Sequence, residues 1–146
     1  MPGAFIALAA ADGRCRAVAV EVFHGARHLV GALTEVWEHT YTGDTHRLVS
    51  AVFGHTSWDA IDATAAPNRL PPIGGGIAVP GVGYATAAAF GPAALTTATV
   101  DELLRLRRAI VQIRPAADLL AVHHRGVPVE TYRLGDGPPR PCTHRL

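Results

Sequence analysis

The run from Arg16 to Tyr41 constrains the fold more than any other stretch of the chain. It begins with alternation: Val18, Val20 and Val22 fall on one face of an extended segment, and Ala17, Ala19, Glu21 and Phe23 on the other. An Asp12-Gly13 pair precedes it, with a second apolar run, Ala4 to Ala10, on the far side. A D-G pair between two such runs is the strongest short-range signal for a hairpin, because both residues tolerate the turn's positive φ. At His24-Gly25 the period changes. Leu29, Val30, Leu33, Val36, Trp37 and Tyr41 recur at helical spacing and define one buried stripe. A hairpin that feeds straight into an amphipathic helix predicts that helix lying on its sheet.

The rest of the chain extends this plan. Gly43-Asp44-Thr45 stops the first helix and caps a second, His46 to about His55, with Asp44 or Thr45 as N-cap and Leu48, Val49, Val52 and Phe53 facing inward. Ser57 to Ile61 reads as one further helical turn, since Trp58 and Ile61 are three residues apart. Asp62 to Gly76 holds three prolines and three consecutive glycines and is a long loop. Ile77 to Val82 and Tyr84 to Phe90 suit strands, with Pro80 and the nearby glycines marking an edge or a bulge. Thr99 caps a short helix reaching to about Arg107. Ala109 to Arg114, Leu119 to His123 and Pro128 to Leu134 form a meander of strands. The expectation is one α+β domain over 1–134, an antiparallel sheet with a pair of helices on one face, followed by a flexible tail over 135–146.

Composition supports a globular chain and removes several chemistries. The 146 residues are 49% hydrophobic and 17% charged, enough for a real core and unlike a disordered chain. A formal charge of +1 gives no footprint for nucleic acid or an anionic membrane, and no apolar run approaches the roughly 20 residues of a membrane span. The start of the chain lacks the basic opening of a signal peptide, which reads as cytoplasmic. Cys15 and Cys142 make no disulfide framework. All 13 basic residues are arginine. The missing lysine excludes Walker-type phosphate binding, Schiff-base chemistry and the kinase strand lysine. Ser50 and Ser57, the only serines, lie outside any G-x-S-x-G elbow. Arg105, Arg107 and Arg108 form the nearest thing to a basic patch, read either as a solvated helix end or as a phosphate contact.

The first third of the chain resembles a family of small, functionally uncharacterised phage and actinobacterial proteins. These open with a D-G hairpin turn, a strand ending H-W-D-G-Y and a helix beginning P-E-H-V-G. Asp12-Gly13 matches the turn and Ala17 to Val22 the strand, while Phe23 stands near the tryptophan. His24-Gly25 falls on the D-G, and His28, Val30 and Gly31 on E, V and G. A P-V-P-G-V-G type segment has its counterpart in Val79-Pro80-Gly81-Val82-Gly83. The resemblance spans about half the chain, with the tryptophan and aspartate replaced. It implies the α+β fold and carries no activity.

Candidate site residues cluster on the first helix. At roughly 100° per residue His28, Glu35 and His39 share one polar stripe, with His24 just before it and small Gly31 and Ala32 between. Glu35 and His39, one turn apart, have a spacing that chelates a divalent ion, so any metal would sit on His28, Glu35 and His39. The chain lacks H-E-x-x-H and any second ligand pair, so the stripe reads instead as a solvated helix face, and no metal or cofactor is expected. His123 and His124, consecutive on a strand, point to opposite faces, so at most one joins a site. Gly81-Val82-Gly83-Tyr84 precedes strand-like residues and reads as a hairpin or flap rather than a nucleotide loop.

These residues favour a non-catalytic protein that binds a small molecule or a protein partner through the concave side of the sheet and the 62–76 loop. His24, His28, Glu35, His39, Tyr84 and His123 are its candidate ligand contacts. A small histidine/carboxylate enzyme, metal-assisted or not, and a homo-oligomer pairing through its strand edges are the two alternatives.

Overall fold

The hairpin signalled by Asp12-Gly13 is present, with a connection over 10–14 rather than a two-residue turn and with positive φ at Gly13 but not at Asp12. In the computed structural model, which describes residues 3–10, 12–71, 76–86 and 96–135, β1 (Ala4–Ala9) and β2 (Cys15–Val20) pair antiparallel from Ala4↔Val20 to Ala9↔Cys15. Asp12 Oδ1 accepts the Arg14 amide at 3.0 Å, and Gly13 takes the positive φ of +83° that the turn needs. Residues 72–75 of the long loop, 87–90 of the strand expected at Tyr84 to Phe90, Cys142 and the 136–146 part of the tail lie outside the described residues.

After Gly25 the chain enters α1 (Ala26–Glu35), whose Leu29, Val30 and Leu33 are buried. The helix then widens into a π-helical turn, Val36–Thr40, in which the Tyr41 amide donates to the Val36 carbonyl five residues back at 3.2 Å. Asp44 is the N-cap of α2 (Thr45–Val52), accepting the Arg47 amide at 3.1 Å. The further helical turn expected at Ser57 to Ile61 is instead a strand, β3 (Ser57–Ile61), lying parallel to β2 with Ala19↔Ser57 and Val20↔Trp58. A register shift between Trp58 and Ala60 breaks the alternation and leaves both Trp58 and Ile61 buried. That bulge mimics helical spacing in the sequence. The Trp58 indole N–H donates to the Val52 carbonyl at 2.9 Å and ties the end of α2 to the sheet.

The remaining elements are β4 (Ile77–Val79), β5 (Gly83–Ala85), β6 (Thr96–Ala98), α3 (Val100–Leu104), β7 (Ala109–Arg114), β8 (Leu119–His124) and β9 (Val127–Arg133). Among the described residues they complete a 9-stranded sheet in the order β4-β5-β3-β2-β1-β7-β8-β9, with β6 on the first half of β2. The α+β class with a helix pair on one face holds. The sheet is mixed, since β1–β7 and β2–β3 are parallel pairs within an otherwise antiparallel order. Each flank of the central hairpin takes a strand that returns after helices, and such crossovers deliver parallel neighbours.

Two cores result. Under α1 and α2, Ile6, Val18, Val20, Leu33, Leu48, Val52 and Trp58 are 0–1% exposed. The other face carries a smaller cluster of Phe5, Ala7, Cys15, Ala17 and Ile110, closed by Leu103 of α3. That short helix is fixed by a capping box: Thr99 accepts the Glu102 amide at 3.2 Å and Glu102 accepts the Thr99 amide at 2.9 Å. The latter bond holds the Glu102 carboxyl below its ordinary value.

Candidate functional site

The polar stripe of α1 does not face open water along its whole length. It forms one wall of a cleft of about 780 Å³, with the ends of β2 and β3 behind it and the 62–71 loop opposite. The wall is polar because α1 spends its apolar face on the core; His28 and Glu35 fall on the other side of Leu29 and Leu33. The floor is apolar. Leu29, Ile61 and Tyr84, at 4%, 5% and 2% exposure, line it together with Val20 and Ala32.

The loop is anchored rather than draped. Asp62 accepts the amide and hydroxyl of Thr64 at 2.8 and 2.6 Å, its own amide donates to Val82, and the Gly81 amide donates to Ala65. These bonds fasten the loop to the β4–β5 connection. They set Arg69 and Leu70 at the cleft mouth, where Leu70 is 94% exposed.

Among the described residues the Tyr84 hydroxyl makes no hydrogen bond, Arg69 makes no ion pair, and neither His24 nor His28 bonds a carboxylate. The two imidazoles meet edge to face with centroids 5.2 Å apart. Arg27 also lines the cleft and bears on Tyr132, whose phenol is raised above its ordinary value by burial and by Glu130 and only partly lowered by Arg27.

Of the residues singled out in the sequence, His24, His28, Glu35 and Tyr84 line this one cleft. His39 does not. The π-helical turn inserts extra backbone after Glu35, so His39 rotates off the stripe and lies 3.6 Å from Glu38, with 69% of its side chain exposed. No group of three histidine, cysteine or acidic side chains able to hold a metal occurs among the described residues.

His123 lies elsewhere, on the side of the smaller core. Its Nε2 is 3.4 Å from Gln112 Oε1, which also accepts from Arg114 Nε at 3.1 Å, while Gln112 Nε2 reaches Cys15 Sγ at 3.4 Å. Burial pushes the His123 imidazole below its ordinary value, and the Arg114 charge adds to this. The sequence reading names the 62–76 loop as part of the site but not Arg69 and Leu70 within it, and it places Ile61 in a helical turn, whereas Ile61 reaches the cleft as the last residue of β3.

No family model, curated protein or solved structure matches this chain. No described helix is long and apolar enough to cross a membrane. Fold and cleft define a small mixed α+β domain with an apolar-floored, polar-rimmed recess beside its first helix.

Proposed function

We propose that this protein binds a small, largely apolar molecule bearing a hydrogen-bond acceptor in the cleft between α1 and the 62–71 loop. The observation that carries the reading is Tyr84: a phenol 2% exposed, lining the cleft, whose hydroxyl has no hydrogen-bond partner among the described residues. A buried hydroxyl left unpaired costs about 1–3 kcal/mol, and a bound acceptor removes that cost. The cleft's size and apolar floor suit such a guest, since small-molecule sites of a few hundred Å³ combine apolar walls with few polar groups. Leu70, held out into solvent at the mouth, is the natural cover for an apolar body.

The imidazoles support binding over catalysis: among the described residues neither His24 nor His28 is bonded to a carboxylate that would orient it as a general base. The test is native mass spectrometry of the purified protein after incubation with metabolite extracts of its expression host. A discrete adduct of one small molecule per chain, lost in Leu70→Asp and Tyr84→Phe, supports the reading. An adduct that survives both changes, or no adduct with any extract, overturns it.

A further inference from the structure

A second, larger cleft of about 1070 Å³ lies across the Phe23-His24 ridge from the first. Its charge is one-sided. Arg105, Arg107, Arg108 and Arg125 line it with His24 and His124, and no carboxylate is among its lining residues.

The arginines are not equivalent. Arg107 crosses the start of β1 and grips Glu21 with two bonds of 3.2 and 3.1 Å, its guanidinium 5.3 Å from the Phe5 ring centroid. Gly3 permits this crossing, because a Cβ there would stand 2.3 Å from Arg107 Nη1. Arg107 is therefore part of the floor. Arg125 is fixed by one bond, Nη2 to the Leu104 carbonyl at 2.6 Å, which leaves its other N–H groups over. Arg105 and Arg108 make no ion pair among the described residues, although the Arg105 charge helps to lower the Glu102 carboxyl. Two open guanidiniums beside one pre-positioned one suit a dianion with three acceptor oxygens better than a single carboxylate. The cleft is also far larger than an inorganic ion, and Leu106 and Val127 on its wall are 53% and 51% exposed.

We infer that this cleft binds an organic phosphomonoester, with Arg105, Arg108 and Arg125 on the phosphate and Leu106 and Val127 against its apolar part. The inference stands apart from the neutral-ligand reading of the first cleft and survives its failure.

The experiment is an amide chemical-shift titration of the full chain with phenyl phosphate, benzoate and inorganic phosphate, each at matched ionic strength in sodium chloride. The expected result is that phenyl phosphate shifts residues 104–108 and 124–127, binding tighter than either benzoate or inorganic phosphate. Arg105→Gln and Arg108→Gln should each weaken it about three- to ten-fold, as loss of a charge-assisted hydrogen bond does. Arg47→Gln, on α2, should leave it unchanged. Equal affinity for benzoate would overturn the phosphate class. Equal affinity for inorganic phosphate would overturn the role of the apolar wall. No shift beyond the chloride control, or binding indifferent to both arginine changes, would overturn the site itself. Shifts confined to residues 28–35 and 69–70 would place the anion in the first cleft and have the same effect.

Discussion

Leu33→Ala tests the orientation of α1, on which the placement of His28 and Glu35 in the cleft depends. Leu33 is 0% exposed in the core beneath the helix. Truncation removes three carbons, or about 2.4 kcal/mol at roughly 0.8 kcal/mol for each buried methylene. A residual cavity of about 50 Å³ adds on the order of 1 kcal/mol, so the total is near 3.5 kcal/mol within a range of about 2.5–4. For a chain of this length that corresponds to a fall of about 10 °C in Tm. Urea unfolding followed by tryptophan fluorescence should show the midpoint shift with the slope unchanged. Glu38→Ala, on the exposed side, should cost less than about half a kcal/mol. A Leu33→Ala loss below about half a kcal/mol would refute the reasoning, because the apolar stripe would then not be the buried face.

Three further outcomes are expected. Thr45→Val removes a hydroxyl that accepts the Trp37 indole N–H at 2.9 Å and donates to Asp118 at 2.5 Å; it should destabilise by about 1–2 kcal/mol in urea, and no change would mean the relay is idle. Gly83→Ala places a Cβ 2.3 Å from the Ala60 carbonyl oxygen, so the β3–β5 pairing must shift, with a loss of at least about 1–3 kcal/mol and a drop in any Tyr84-dependent ligand binding. His123 is lowered by burial, by Arg114 and by His124, and raised by Asp101. The folded state thus takes up its proton at lower pH than the unfolded state, whose value is near 6.5. Stability should be full above that value and fall as pH drops toward the folded one. His123→Gln should flatten this slope between pH 7.5 and 5, and an unchanged slope would show that another group governs acid sensitivity.

How much of this was legible in the sequence depends on the range of the interactions. Local chemistry was readable: the Asp12-Gly13 turn, the Leu29-Val30-Leu33-Val36 stripe, the Asp44 cap and the Thr99 cap, which Glu102 completes as a capping box, all act within a few residues. Non-local pairing was not. β3 read as a helical turn because its bulge sets Trp58 and Ile61 at helical spacing, and the parallel partners of β1 and β2 depend on strands far along the chain. The three-residue strand β6, Thr96–Ala98, carries too few side chains to show a period. Within the site, one extra residue in the π-helical turn removes His39, which no spacing rule detects. Arg69 and Leu70 enter it only because Asp62 and Ala65 pin the loop.

The central claim is that the α1 stripe, the buried Tyr84 and the 62–71 loop act as one binding cleft. Amide chemical-shift mapping with a library of small neutral aromatic and heteroaromatic fragments tests it most directly. The expected result is a group of hits that shift residues 24–35, 60–62, 69–70 and 84 as a single set, each weakened in Tyr84→Phe while the fold is retained. Hits scattered over the surface, or a common site that leaves Tyr84 and Leu70 unmoved, would contradict the account.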